Sequence, residues 1–67
     1  MTGRIKFFSK SKGWGFIVGD DGKDYFFHNA NVKNRYKWTP QADEKVTFDF
    51  EDAPKGTMAV NVTKAKD

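Results

Sequence analysis

The residues best suited to do chemistry lie in two short runs, Lys12-Gly13-Trp14-Gly15-Phe16-Ile17 and Tyr25-Phe26-Phe27-His28. Trp14 and Phe16 are two apart, and the alternation of side chains along an extended chain puts both rings on one face. Gly13 and Gly15 have no Cβ, so another backbone or a ligand can come close beside the rings. In the second run the same period places Phe26 and His28 on one face and Tyr25 and Phe27 on the other. With Ile17 and Phe27 turned to a core, Trp14, Phe16, Phe26 and His28 make one outward patch of four rings, and Lys12 sets a cation at its mouth. Flat π-faces beside a cation suit a nucleic-acid strand, whose bases stack while its phosphates seek positive charge. The plainer alternative is a pair of strands whose rings fill a core.

Other chemistries find little to work with. The chain has one histidine and no cysteine, and Ser9 and Ser11 fall in a lysine-rich turn, so no nucleophile stands beside an oriented base. The protein reads as a binding protein and not an enzyme. His28 lacks partners of the usual metal-ligand type, and no metal or cofactor is expected. Asp20, Asp21 and Asp24 lack the alternate-position ligands and closing Glu of a calcium loop and read as part of a turn. Residues Met1 to Lys6 carry charges where a signal peptide needs an apolar segment, and no apolar run reaches membrane-spanning length. The expectation is a cytoplasmic protein with no membrane partner, in which Asn61-Val62-Thr63 is an idle glycosylation sequon.

The elements that must position the rings follow from composition and period. Sixty-seven residues make one domain, 1–67, near the lower size at which a single core holds a fold without help. Leucine is absent, and the aliphatic core candidates Ile5, Ile17, Val18, Val32, Val46, Val60 and Val62 are all β-branched, which favours strands. Eleven aromatics exceed what so small a core needs, so some should lie on the surface, where rings mark binding. The net charge of +3 is unevenly placed. Residues 1–37 hold eight bases and three acids, a balance of +5, while residues 38–67 hold four bases and six acids, a balance of −2. Cations and rings therefore share the first half of the chain.

Residues 3–8 alternate basic and apolar positions, predicting a strand with Ile5 and Phe7 inward and Arg4, Lys6 and Phe8 outward. A polar turn at 9–13 leads to a strand over Trp14–Val18, and Asp21-Gly22 closes a hairpin onto a strand over Asp24–His28. From Asn29 to Glu44 the chain is a long polar loop with room for one helical turn, carrying Lys33, Arg35 and Lys37 around Tyr36 and then Trp38. Val46, Phe48 and Phe50 form the inner face of a fourth strand; after a turn at 53–56, Met58–Thr63 makes a fifth, with Val60 and Val62 inward. Five short strands in so short a chain predict an all-β barrel that closes its own edges.

In these residues the chain resembles the bacterial cold-shock proteins. The hexamer from Lys12 is similar to their first ribonucleoprotein motif and Tyr25-Phe26-Phe27-His28 to their second, while Gly3-Arg4-Ile5-Lys6-Phe7-Phe8 and Asn61-Val62-Thr63 match in place. The resemblance covers essentially the whole chain. It implies a five-stranded antiparallel OB-fold barrel, monomeric, that binds single-stranded RNA and DNA as a chaperone or in cold-shock and gene-expression regulation. It further implies binding roles for Lys6, Phe7, Lys12, Trp14, Phe16, Phe26, His28 and Tyr36. It conflicts with simple alternation at Phe7, which the family places on the ligand face; that requires a bulge in the first strand. The chain departs from the family at Asn29, where a further aromatic is usual, and at Thr57-Met58, where Pro-Gln is common. Trp38 has no family role and reads equally as a core anchor or a base contact.

Two other readings are weighed. An RNA-recognition-motif domain uses a similar hexamer but needs a strand and a helix before it, which twelve residues cannot supply. A protein-interaction OB module with weak or no nucleic-acid binding would set its rings in neutral or acidic surroundings, whereas here Arg4, Lys6, Lys12, Lys33, Arg35 and Lys37 accompany them.

Overall fold

The computed structural model describes residues 1–33, 37–54 and 56–65. Strands form where β-branched and aromatic residues alternate with polar ones: β1 (Thr2–Ser9), β2 (Trp14–Gly19), β3 (Asp24–His28), β4 (Lys45–Ala53) and β5 (Gly56–Lys64). They close into a barrel in the order β1-β2-β3-β5-β4. The neighbours are antiparallel except at the junction of β3 and β5, where a parallel bridge joins Phe26 to Met58. The expectation of a wholly antiparallel barrel is corrected there, because strands that meet only at closure are not joined by a hairpin and need not run in opposite directions.

The core comprises Ile5, Ile17, Tyr25, Phe27, Val32, Val46, Phe48, Ala59 and Val62. Two bulges decide which residues reach it. Between Ile5 and Phe7, β1 advances two residues while β2 advances one, from Ile17 to Phe16. Lys6 is the extra residue, and beyond it the faces of β1 exchange. Phe7 turns outward, 45% exposed, and Phe8 turns inward to stack on Phe27 at 5.6 Å and 10°. The alternation reading of these two rings is thus reversed, as the family resemblance required.

The second bulge lies in β5, where Thr47 and Asp49 of β4 face Thr63 and Val60. The extra residue is accommodated by Asn61 in the left-handed region at φ 53°. Ala59 and Val62, three apart, both point inward, so Val60 is only half-buried instead of facing the core. Phe50 also departs from expectation: it is 51% exposed at the barrel rim, lying against the buried Tyr25 ring at 5.5 Å.

The β2–β3 hairpin turns through Gly22 at φ 81°. Asp21 fixes that turn by accepting hydrogen bonds from the Lys23 backbone N–H and the Tyr25 hydroxyl. The hydroxyl, first, and then the amide hold the Asp21 carboxyl below its ordinary value, and the same carboxylate pushes the Tyr25 phenol up. The long connection begins with a 3-10 turn, Asn29–Asn31, and returns to the barrel through Val32, which bridges Val62. Trp38 resolves as an anchor: it packs against the core, and its Nε1 donates to both carboxylate oxygens of Glu44 at 3.2 and 3.3 Å. Tyr36 lies outside the described residues.

Candidate nucleic-acid interface

The three strands β1, β2 and β3 lie side by side, and cross-strand pairing builds the outward face. Trp14 pairs with His28 and Phe16 with Phe26 across β2 and β3, while the bulge brings Phe7 opposite Phe16 across β1 and β2. Direct cross-strand neighbours put their Cβ atoms close enough for rings to touch. Trp14 sits at the centre, with ring centroids 5.6 Å from Phe7, 5.8 Å from Phe16 and 6.0 Å from Phe26. Phe16 and Phe26 are 5.8 Å apart. All four pairs are edge-on or tilted, between 48° and 87°, so the rings hold one another without covering each other's faces. Phe7 and His28 are exposed, and Trp14, Phe16 and Phe26 are half-buried.

Gly15 makes this face possible. It pairs with Phe8 on one side and Phe27 on the other, and its missing side chain lets those two inward rings stack although their strands are not neighbours. A Cβ there would lie 2.2 Å from the Phe7 carbonyl oxygen and 3.1 Å from the Phe27 ring.

His28 has a second task. Its Nδ1 accepts the Ala30 backbone N–H at 3.1 Å, while its own backbone N–H donates to the Asn31 side chain, a reciprocal cap on the 3-10 turn. An amide can only donate, so in the neutral ring Nδ1 holds the lone pair and Nε2 carries the proton. The platform therefore has a directed N–H donor at one end.

The cations are placed unevenly. Lys12 is exposed on the turn before β2, beside Gly13, whose carbonyl accepts the Asn29 N–H. Lys6, in the β1 bulge, reaches across to Asp24 at the start of β3, with Nζ 3.1 Å from Oδ2. Arg4 donates to the Asp43 carbonyl at 3.0 Å and thus braces the long loop. Lys33 and Lys37 are exposed on that loop.

Sequence reasoning assigned no role to the β4–β5 hairpin, yet it flanks the platform. An open groove of about 620 Å³ is bounded by Trp14, Phe16 and Phe26 on one side and by Pro54, Thr57 and Met58 on the other. The barrel closure of β3 on β5 brings them together, and a single non-local bridge leaves no period in the sequence that announces it. Among the described residues no three His, Cys, Asp or Glu side chains cluster as metal ligands would. No helix in the described residues is long and apolar enough to cross a membrane.

Comparison with known proteins gives a consistent answer. Residues 1–65 match the 'Cold-shock' DNA-binding domain family. The chain is similar to "Cold shock protein 1" of Lactiplantibacillus plantarum, 42% identical over 61 residues, covering 91% of this chain and 92% of that protein. It is likewise similar to "Major cold shock protein" of Streptococcus pyogenes serotype M1, 39% identical over 62 residues and covering 92% of each. Among solved structures, "drosophila Unr CSD456" superposes with a TM-score of 0.80 at 18% identity, over 97% of this chain and 26% of that longer one; this likeness concerns the OB-type fold alone. With the ribonucleoprotein-like runs on adjacent strands of a five-stranded barrel, and with relatives about 40% identical along nearly its whole length, the chain belongs to the cold-shock domain family.

Proposed function

We propose that this protein is a monomeric, cytoplasmic single-domain cold-shock protein over residues 1–67 that binds single-stranded RNA and DNA with little sequence specificity. The observation that carries the reading is the shared outward face of Phe7, Trp14, Phe16, Phe26 and His28, built by direct cross-strand pairs and edged by Lys6 and Lys12. Bases stack on these rings, and every base has a π-face, so stacking accepts any sequence. Lys6 and Lys12 contact phosphates, and Tyr36 adds a ring from the long loop. Binding needs neither catalysis nor cofactor. Capture of melted strands shifts structured RNA toward its open form by mass action, which makes the protein a nucleic-acid chaperone independent of ATP.

The test is tryptophan quenching on adding a short oligothymidine to the Trp38→Phe variant, in which Trp14 is the sole indole, with labelled-oligonucleotide anisotropy on the unsubstituted protein alongside. The expected result is saturable quenching whose affinity falls with salt. For about three to five neutralised phosphates, log K against log salt has a slope of roughly −2 to −3.5. Absence of binding by both methods overturns the reading and favours a protein partner for the platform.

A further inference from the structure

Outside the ring platform, the exposed large apolar side chains among the described residues are Phe50 and Met1, and both adjoin Tyr25 at one end of the barrel. The Met1 Sδ, the Tyr25 ring and the Asp21 carboxylate crowd the space over Gly19, where a Cβ would lie 2.9, 2.8 and 2.7 Å from them. Phe50 lies against the same Tyr25 ring, tilted by 49°. Tyr25 is sealed by Phe48 and Phe50, whereas Phe50 itself keeps half of its surface in water. Capping the core therefore accounts for only part of this ring. Neither Phe50 nor Tyr25 lines the groove beside Trp14. Acids surround Phe50: residues 46–54 hold Asp49, Glu51 and Asp52 and no base. Asp52 is two residues beyond Phe50 on the same side of β4, where the pairing with β5 is regular. Asp21 accepts the Tyr25 hydroxyl, and Asp20 precedes it in the turn. All five acids are exposed, and none forms an ion pair among the described residues. The cations at this end are Lys23 of the turn and the Met1 ammonium, which donates to the Phe48 carbonyl at 2.7 Å.

We propose that Phe50 and the carboxylates beside it form a second docking surface, for an arginine-bearing segment of a basic protein: a guanidinium stacks on the open face of Phe50, with Asp52 and Asp21 as its acceptors. Charge selects this occupant. Five acids repel the phosphates of a nucleic acid, and a neutral partner would leave carboxylates unpaired around the ring. A guanidinium is flat enough to stack on a π-face while its fork of N–H donors meets a carboxylate, which the compact ammonium of lysine does not reproduce. Asp21 accepts two hydrogen bonds already and has lone pairs left for more. An exposed ring inside a charged rim is the arrangement of a protein–protein anchor. The lysines that edge the ring platform turn a basic segment away from that face and toward this one. The surface stands whether or not the platform binds single strands.

The test is a titration at low salt, followed by backbone amide and aromatic NMR shifts, with an end-capped pentapeptide of alternating glycine and arginine and with its lysine counterpart. The arginine peptide should give saturable shifts centred on Phe50, Tyr25 and Asp52, and the lysine peptide should bind there more weakly. Phe50→Ile keeps an apolar, strand-favouring cap over Tyr25 but removes the π-face. It should weaken the arginine peptide about 2- to 5-fold, the range of an exposed cation–π contact expressed as a ratio, and bring the two peptides to nearly equal affinity. Asp52→Asn should weaken both peptides about 1.5- to 5-fold, the range of an exposed ion pair. Thermal melts establish that each variant is folded at the titration temperature, and Phe50→Leu replaces Phe50→Ile should the latter melt early. Absence of shifts with the arginine peptide, or shifts centred on Trp14 and its neighbours, would overturn the proposal. Equal affinity of the unsubstituted protein for the two peptides would reduce the surface to bulk charge and overturn it as well. So would a folded Phe50→Ile or Phe50→Leu protein that holds the arginine peptide as tightly as the unsubstituted one.

Discussion

Replacing Gly15 by alanine tests how the core and the platform depend on one position. The added Cβ would lie 2.2 Å from the Phe7 carbonyl oxygen, 2.8 Å from the Phe8 Cα and 3.1 Å from the Phe27 ring. The first two are backbone atoms, so no rotamer change relieves them; β1 and β2 must separate by about 1 Å where the bulge ends. Overpacking of this kind costs ~1–3 kcal/mol. Loss of the Phe8–Phe27 stack adds ~0.5–1.5 kcal/mol, and the lower chain entropy of alanine returns ~0.5–1 kcal/mol. The net is about 2 kcal/mol, a large share of the roughly 3–10 kcal/mol that a domain of this size holds. Thermal unfolding followed by circular dichroism should show Tm lowered by about 8–16 °C. Because Phe7 follows the bulge and touches Trp14, oligothymidine affinity measured well below that Tm should fall as well. Gly22→Ala is the comparison, since Gly22 has φ 81° but nothing within 4 Å of its would-be Cβ. It should cost only the left-handed strain, ~1–2 kcal/mol, and leave binding unchanged. A Gly15→Ala protein with unchanged Tm and affinity would refute the reasoning, by showing that β1 and β2 can part there at no cost.

Phe16→Ala and Trp14→Ala should each weaken binding by ~1–3 kcal/mol in oligonucleotide titrations while the variants stay folded, because both rings lie on the outer face; unfolding on either change would make them core residues. Tyr25→Phe keeps the ring against Phe48 but removes the hydroxyl that Asp21 accepts. With the Asp21 carboxyl held below 3.8, its contribution is present above that pH and lost as pH falls through the lowered value. With the Tyr25 phenol held above 10.0, its contribution is present below that pH and lost as pH rises through the raised value. Denaturant melts should therefore show a stability gap between wild type and Tyr25→Phe that is constant across the neutral range and closes at both extremes; a gap that persists unchanged in acid would assign the loss to packing.

Much of this arrangement is legible in the sequence because it depends only on local period. Trp14, Phe16, Phe26 and His28 fall on one face since β2 and β3 are regular and joined by a tight turn whose residues announce it. Ile5, Ile17, Phe27 and Val46 are buried for the same reason. Alternation fails at Phe7, Phe8, Val60 and Phe50. The first three lie beside bulges, where one extra residue exchanges the faces of everything beyond it, and a bulge is set by the partner strand, which period cannot see. The family resemblance corrected Phe7 because motif position carries that partner information. No such guide existed for Val60 or for Phe50 at the barrel rim, nor for the β4–β5 side of the groove.

The bulge that defeats simple alternation in β1 also reconciles the two demands on that strand. A regular β1 continuing the Ile5–Ile17 register would send Ile5 and Phe7 to the core together and set Lys6, not a ring, opposite Phe16 on the outer face. By inserting Lys6, the chain keeps Ile5 inside, exchanges Phe7 for Phe8 in the core, and sets Phe7 against Trp14 on the outer face. The inserted residue is itself the lysine that reaches Asp24. Core packing, the extent of the ring platform and the placement of one cation thus depend on a single register shift, and Gly15, paired with Phe8 just beyond it, lets the strands approach. Changes at Gly15 or in the length of β1 should accordingly move stability and binding together, whereas changes at Phe16, on the outer face, should move binding with stability nearly constant.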